Sequence, residues 1–243
     1  VVFNAISNTC LDKSPFMLSA HEISSFVGGG QFSGPGVSAD GMFNPSAAGA
    51  GNHILSYTFT GSNGCPIVKT QAIEVYPLPT ANAGEDRVLL RGESIQLEGS
   101  AHGNHLSYKW SPSTGLNRDD ILNPIASPAE NTTYHLLVTS ENGCTSESQV
   151  FVKILQLLNM QNIFTPNGDG VNDTWIIKNL DMYPGAIVDI FNRYGARIFH
   201  SVGEYTPWDG KMNGEDISIG TYYYFIEPKN RRNPISGSVT ILR

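Results

Sequence analysis

The sequence predicts an all-β protein made of three tandem β-sandwich domains, and three observations support this fold class. The chain of 243 residues contains 25 Gly and 14 Pro, which indicates many turns. Its apolar residues alternate with polar ones over short runs, as in half-buried strands. Only 15% of the residues are charged, which is low for a helical or a disordered chain.

The first predicted domain covers residues 1–78. Its clearest strand places His53, Leu55, Tyr57 and Phe59 on one face. The turn GSNG at 61–64 follows, and a return strand ends near residue 75. A strand, a Gly/Asn turn and a second strand together predict a β-hairpin.

The second predicted domain covers residues 79–155 and begins in a linker-like segment, PLPTANAG at 77–84. Its turn SENGC at 140–144 repeats the pattern of GSNGC at 61–65, and each turn lies between an aromatic-bearing strand and a return strand. We interpret this recurrence as a tandem repeat of two sandwich domains.

The third predicted domain covers residues 156–243 and is organised around NIFTPNGDGVNDTW at 162–175. Pro166 fixes φ there, and Gly168 and Gly170 permit left-handed turns. A hairpin around 192–195, an aromatic strand and a final strand follow, and many short strands in a short segment predict another sandwich.

Five motifs of this third domain occur in the order expected for one known family. They are PNGDGVND (166–173), FNRYG (191–195), WDG (208–210), GTYYY (220–224) and ILR (241–243). The segment resembles the gliding-motility-associated C-terminal domain, the type B sorting domain of the Bacteroidetes type IX secretion system. The resemblance implies an immunoglobulin-like sandwich that acts as an export signal and is not an enzyme. It also implies two partners, the type IX translocon and a PorP/SprF-like outer-membrane barrel protein.

The first two domains resemble the immunoglobulin-like and PKD-like repeats of Bacteroidetes surface proteins. We therefore expect a C-terminal fragment of a large secreted protein, with immunoglobulin-like stalk repeats before a signal for type IX secretion and cell-surface attachment. The expected location is the cell surface, after secretion across the outer membrane. The alternative is a fragment of a calcium-dependent or glycan-binding adhesin whose function lies in the first two domains.

The PNGDG loop offers four side chains with oxygen atoms of the kind that calcium prefers: Asn167, Asp169, Asn172 and Asp173. Two features argue against an EF-hand-like site, because Val171 stands where a third ligand would fall and no bidentate Glu follows. The other interpretation is that Asn and Asp cap the amides of the loop itself as Asx turns. We favour the Asx turns and expect no cofactor, with calcium as the open alternative.

Partner recognition is predicted in the PNGDG loop and the C-terminal strand. A polar loop on a rigid scaffold is a common recognition element, and a terminal strand offers a sheet edge that a partner could extend. The predicted recognition residues are Asn167, Gly168, Asp169, Gly170, Asn172, Asp173, Thr240, Ile241, Leu242 and Arg243. The residues expected mainly to hold the fold are Ile163, Trp175, Ile190, Phe199, Tyr222 and Ile241.

The chain has three cysteines, so at least one has no partner within it. An exported chain permits disulfides, and we predict that Cys10 and Cys65 pair within the first domain and leave Cys144 free. Three reduced thiols are the alternative.

Several functional classes receive no support from the sequence. Net charge is −7 and no basic cluster is present, which argues against nucleic acid as a partner. Neither a nucleophile elbow nor a phosphate-binding loop occurs, so we expect no enzyme. The apolar segment 154–158, which Gln156 interrupts, is far too short for a transmembrane segment, and no longer apolar run occurs.

Overall fold

The structure, a computed structural model, describes residues 1–22, 27–229 and 232–243. It divides into two compact units. Unit 1 comprises Val1–Arg87 and Ser94–Val152, and unit 2 comprises Val88–Glu93 and Lys153–Arg243. The division of the chain into three sandwich domains at 1–78, 79–155 and 156–243 stays a prediction.

The first part of unit 1 contains a long antiparallel hairpin. The elements are β1 (Val2–Phe3), β2 (Thr9–Cys10), β3 (Phe16–Met17), β4 (Ala20–His21), β5 (Gly28–Ser33), β6 (Met42–Phe43), the short helix α1 (Pro45–Ala48), β7 (Gly51–Gly61) and β8 (Pro66–Tyr76). One sheet has the order β2-β8-β7-β5. The hairpin β7–β8 confirms the predicted one. On the face that the sequence predicted for four residues, Leu55, Tyr57 and Phe59 are buried and His53 is half-buried.

Apart from residues 88–90 and 153–155, which belong to unit 2, the later part of unit 1 is a second set of strands. They are β9 (Thr80–Asn82), β10 (Arg87–Leu90), β11 (Ile95–Gln96), β12 (Ser100–His102), β13 (Ser107–Ser111), β14 (Ile125–Ala126), β15 (Thr132–Thr139) and β16 (Thr145–Leu155). Strands β13, β15 and β16 are antiparallel neighbours with β15 in the middle. Trp110 and Tyr134 are buried and satisfy their polar atoms, since Trp110 Nε1 donates to Ile121 O and the Tyr134 hydroxyl donates to Thr114 O.

The disulfide of unit 1 joins Cys10 to Cys144, with a Cα–Cα distance of 5.6 Å. The predicted Cys10–Cys65 pair is therefore wrong, and Cys65 is exposed with a free thiol. The reason is the register of β2, which runs parallel to the far end of β8 and places Cys10 opposite Tyr76. Cys65 precedes the other end of that strand, roughly 30–35 Å away at 3.3 Å per residue, whereas a disulfide needs Cα atoms within about 7 Å.

Unit 2 has one principal sheet in the order β18-β25-β24-β20-β21. Its elements are β17 (Asn159–Met160), β18 (Ile163–Phe164), β19 (Ile177–Lys178), a 3₁₀ turn (Leu180–Met182), β20 (Ile187–Phe191), β21 (Arg197–Val202), β22 (Lys211–Met212), β23 (Glu215–Asp216), β24 (Gly220–Glu227) and β25 (Ile235–Ile241). Strand β18 is parallel to β25, and the other neighbours in this sheet are antiparallel.

The core of unit 2 is rich in aromatic rings. Trp208 is 1% exposed and packs against Phe164 at 5.3 Å and Tyr222 at 5.6 Å between ring centroids. Trp175 is buried and lies 5.1 Å from Tyr224 by the same measure. Rings of this size bury much apolar surface, so they are the main stabilising feature of the unit.

The segment Val88–Glu93 belongs to this unit through specific contacts. Leu90 packs against the aromatic core, and Arg91 N donates to Leu155 O at 2.9 Å. Glu93 forms an ion pair with Arg232 at 3.0 Å, and Glu93 also accepts a hydrogen bond from Leu90 N. These contacts, the Leu90 amide first, lower the pKa of Glu93.

The prediction that Ile163 belongs to the core is wrong. Ile163 is 52% exposed, and its neighbour Phe164 is buried instead. The register of β18 explains the difference, because Phe164 lies opposite the buried Ile241 while Ile163 lies opposite Thr240. The strand alternation is shifted by one residue from the predicted phase.

Candidate recognition site: the PNGDG loop and the C-terminal strand

The PNGDG loop, residues 165–173, is anchored at both ends by buried aromatic residues. Phe164 precedes it and Trp175 follows it, and both are 0% exposed. Trp175 Nε1 donates to Gln161 O at 2.7 Å, and Trp175 N donates to Trp208 O at 2.8 Å. Thr165 N donates to Asn172 O at 2.8 Å and closes the loop. The loop is therefore held at fixed points of the core.

Asp173 organises the loop from within. Its Oδ1 accepts hydrogen bonds from Asn167 N at 3.0 Å and Gly168 N at 2.7 Å. Its Oδ2 accepts from Gly170 N at 2.8 Å. Hydrogen bonds to the carboxylate favour its charged form, so the Gly168 and Gly170 amides, followed by the Asn167 amide, lower the pKa of Asp173.

Asn167 and Asp169 form consecutive Asx turns. Asn167 Oδ1 accepts from Asp169 N at 3.1 Å, and Asp169 Oδ1 accepts from Val171 N at 2.8 Å. Asn167 Nδ2 also donates to Asp169 Oδ2 at 3.0 Å. These contacts are the Asx turns that the sequence analysis favoured, in which Asn and Asp accept hydrogen bonds from the amides of their own loop.

The oxygen atoms of the four predicted calcium ligands take part in hydrogen bonds. Each side-chain oxygen of Asn167, Asp169 and Asp173 faces an N–H group, and Asn172 Oδ1 accepts from Gln161 Nε2 at 3.4 Å. A cation at the loop centre would lie beside the positive ends of those amides. Within the described ranges, no group of three or more His, Cys, Asp or Glu is placed to hold a metal ion. The four predicted ligand side chains are close together, but as a hydrogen-bonded frame.

Two glycines give the loop its path. Gly168 has φ +80° and Gly170 has φ +84°, values that L side chains rarely adopt. A Cβ atom at either position would meet nothing within 4 Å, so the requirement is conformational and not steric. The loop displays one large apolar side chain, Val171, which is 61% exposed.

The WDG motif packs against the start of the PNGDG loop. Trp208 is buried, and Asp209 Oδ1 accepts from Lys211 N at 3.1 Å in a tight turn. Gly210 has φ +75°, and a Cβ there would lie 3.1 Å from Pro166 Cγ. Asp209 therefore has a structural role, and the close approach of Gly210 to Pro166 positions the start of the loop.

The sequence predicted that the C-terminal strand is a sheet edge, but the end of this strand is covered by a neighbouring strand. Strand β25 lies between β18 and β24, so Thr240 and Ile241 have neighbours on both sides. Ile241 is 0% exposed, and its side chain cannot reach a partner while unit 2 is folded. Ile241 therefore supports the fold, as its place among the core residues predicted, and not recognition.

The last two residues differ from Ile241. Leu242 is 47% exposed. Arg243 Nη1 donates to Ile217 O at 2.7 Å, and its Nη2 lies 3.3 Å from Asp216 Oδ1. Arg243 thus fastens the chain end to the segment that leads into β24. Leu242 is the predicted C-terminal recognition residue whose side chain is most clearly available.

The structure brings the two predicted recognition elements together. The loop leaves β18 directly after Phe164, and β18 pairs with the end of β25. Sequence reasoning missed Val171 as a displayed residue, although an apolar residue between Gly170 and Asn172 was a visible signal. It also missed Gln161, whose Oε1 is buried without a hydrogen-bond partner among the described residues, and which no pattern in the sequence identified.

Solved structures that resemble this chain include multi-domain immunoglobulin proteins and bacterial fibronectin(III)-like modules. The N-terminal eight immunoglobulin domains of the Down syndrome cell adhesion molecule match at 11% identity and TM-score 0.45, over 100% of this chain and 42% of that one. Sidekick-1 immunoglobulin domains 1–5 match at 12% identity and TM-score 0.34, over 99% of this chain and 58% of that one. Fibronectin(III)-like modules of Clostridium thermocellum CbhA match at 12% identity and TM-score 0.29, over 63% of this chain and 91% of that one. The chain spans about half the length of the first two. The predicted all-β class is confirmed by the structure itself, whose elements are strands apart from one short helix and one 3₁₀ turn among the described residues.

The family comparison identifies the last part of the chain. Residues 158–241 match the family described as CHU_C Type IX secretion signal domain. The resemblance to a type IX sorting domain is thereby confirmed for this segment, and the match supports a protein that is sorted by the type IX system. Such a signal implies interaction with the type IX system and secretion across the outer membrane to the cell surface. No curated protein matches the chain.

Over residues 1–22, 27–229 and 232–243, no helix has both the length and the apolar character to cross a membrane. The combination of a secretion signal with immunoglobulin-like domains is typical of non-catalytic proteins.

Proposed function

We propose that unit 2 is a docking module that delivers the protein through the type IX translocon and attaches it to the cell surface through a PorP/SprF-like outer-membrane barrel protein. The observation that supports this most is the PNGDG loop. It is a rigid, self-hydrogen-bonded loop that displays Val171 within a domain matching the type IX secretion signal. Unit 1 would serve as a stalk of immunoglobulin-like repeats.

Pre-organisation is the physical reason to assign recognition to this loop. A loop that must become ordered on binding loses conformational entropy at that step, which weakens its affinity. Here the amides of Gly168, Gly170 and Val171 are already satisfied by side chains of the loop. Val171 can therefore be buried by a partner with little further ordering, and Asn167 and Asp169 are exposed on the same loop.

The alternative of a calcium-dependent adhesin draws no support from the loop, because its oxygens cap amides. A glycan-binding role for the first two predicted domains has no structural feature in its favour among the contacts described above.

Delivery of a passenger tests the proposal. An inert secreted passenger is fused before residue 1 of the whole chain and expressed in a host with a type IX system. We expect surface delivery of the wild-type fusion and a drop of about tenfold for Val171→Asp, the loss expected from about 1.4 kcal/mol of docking energy. Val202→Asp is the matched control, because Val202 is 57% exposed on another strand of unit 2.

The outcomes separate two questions. Failure of the wild-type fusion to reach the surface would refute the sorting function. Normal delivery of Val171→Asp, with normal delivery of the control, would remove the loop from recognition. Thermal melts of both variants should match that of the wild type, since neither side chain is buried.

A further inference from the structure

Strand β25 has one edge that is only partly covered. On one side it pairs with β24 along its whole length, from Ile235 opposite Ile226 to Ile241 opposite Gly220. On the other side β18 pairs with Thr240 and Ile241 only. Two bonds at this end involve neighbouring residues, with Thr240 N donating to Asn162 O and Leu242 N donating to Phe164 O. Within the described part of the chain, 235–239 has no strand beside it on that side.

The direction of the free backbone groups follows from the strand geometry. Residues two apart in a strand point their N–H and C=O groups to the same side. Because Thr240 and Leu242 donate toward β18, the N–H and C=O groups of Ser238 and Ser236 point the same way. Both serines are exposed, so four backbone groups at strand spacing face outward.

Two exposed aromatic side chains lie beside this edge on the outer face of the sheet. Tyr223 is opposite Ser238 and Phe225 is opposite Ser236 in the antiparallel register, and cross-strand partners share a face. Tyr223 is 50% exposed and Phe225 is 40% exposed. Since serine side chains are small, bulky side chains on a strand added next to β25 could reach both rings.

We propose that this edge, Ser236–Ser238, binds an extended segment of a partner polypeptide as an added strand, with apolar side chains at two alternate positions against Tyr223 and Phe225. The proposal rests on the docking function of unit 2 and names the form of the partner. Backbone donors and acceptors at two-residue spacing are complementary to another extended backbone. The residues covered by β18 limit the added pairing to a short segment, which suits a reversible contact.

Other occupants fit the observations less well. A sugar could stack on Tyr223 and Phe225, but it would not match the regular row of amides and carbonyls on the serines. A second copy of this chain could pair edge to edge, but it would bring serine opposite serine and leave the aromatic rings largely uncovered. Small residues on the edge strand, with exposed rings opposite them on the next strand, favour an added strand that carries large apolar side chains.

A backbone substitution with a side-chain control tests the inference in the full passenger fusion. Ser238→Pro removes the outward N–H, and proline is tolerated on an edge strand where the N–H faces solvent. Ser238→Ala loses the same hydroxyl and keeps the N–H. We expect Ser238→Pro to lower surface delivery by about tenfold or more and Ser238→Ala to stay within about twofold of wild type. Thermal melts decide whether each variant is folded.

Each outcome bears on the inference. A folded Ser238→Pro variant that is delivered normally would overturn it. If that variant does not fold, the double variant Tyr223→Ser/Phe225→Ser decides, because normal delivery of the double variant would overturn the added strand. Loss of delivery in the double variant alone, with Ser238→Pro folded and delivered, would assign the face to another class of ligand. In each of these cases delivery of the wild-type fusion shows that the docking function itself stands.

Discussion

The two units of this protein are stabilised in different ways. Unit 1 contains all three cysteines and is cross-linked by Cys10–Cys144, which closes most of the unit into one covalent loop. Unit 2 has no cysteine and relies on a cluster of aromatic rings around Trp208. The comparison teaches that two β units in one exported chain need not share a means of stabilisation, and it makes their responses to mutation and reduction separable.

The largest effect is expected from the core of unit 2. Trp208→Ala should lower the stability of that unit by about 3–5 kcal/mol, because a large buried ring is lost and a cavity remains. Tyr194→Ala is the control, since Tyr194 is 82% exposed and its loss should stay within about 0.5 kcal/mol. Denaturant unfolding of the whole chain measures both variants. An equal shift of every transition would mean that the units unfold together.

Unit 1 should respond to the loss of its cross-link. Cys144→Ser is expected to destabilise it by about 2–5 kcal/mol, mainly by freeing the unfolded chain. Cys65→Ser should have almost no effect, since its thiol is exposed and free. Reduction of the wild type should reproduce the first result and leave the unit 2 transition in place. A thiol assay of the denatured, unreduced protein should find one free thiol, and a count of three would contradict the disulfide.

Acid should weaken unit 2 through its loop. Amide hydrogen bonds lower the folded-state pKa of Asp173, so this carboxylate stabilises the fold above its unfolded pKa, about 3.9, and the contribution is lost as pH falls through the lower folded value. Asp173→Asn should therefore melt below the wild type at pH 7, and the gap should narrow at pH 3. Melting curves at several pH values measure this. A gap that is constant with pH would show that the charge of Asp173 is not responsible.

The smallest effect is expected from calcium. A calcium site with a dissociation constant one hundredth of the added concentration would stabilise unit 2 by about 2.7 kcal/mol. Because the loop oxygens already accept amide hydrogen bonds, we expect no shift of its melting transition with calcium or with a chelator. A clear shift that disappears in the Asp169→Ala variant would contradict the Asx-turn interpretation.

Patterns with a local cause were predictable from the sequence. The hairpin β7–β8 follows from alternation and a Gly/Asn turn, and the capping of the PNGDG loop follows from closely spaced Asn and Asp. Each of these depends on residues that are neighbours along the chain.

Properties set by distant pairing were not predictable. The turns at 61–65 and 140–144 share a sequence pattern, yet Cys65 is exposed and Cys144 is 1% exposed in a disulfide. Cys10 decides between them, because the parallel pairing of β2 with the end of β8 carries it away from Cys65. Likewise the insertion of β25 between β18 and β24 buries Ile241. No local pattern determines which strand lies beside another.

The disulfide also has a mechanical consequence for a protein displayed outside the cell. When the ends of the chain are pulled apart, tension crosses unit 1 at the sulfur–sulfur bond between Cys10 and Cys144, positions 134 apart in sequence. That segment would add roughly 45 nm if it were extended at about 3.4 Å per residue. With the bond intact this length stays out of the load path, so unit 1 can lengthen little under force. Reduction would release it and convert a short tether into a long one.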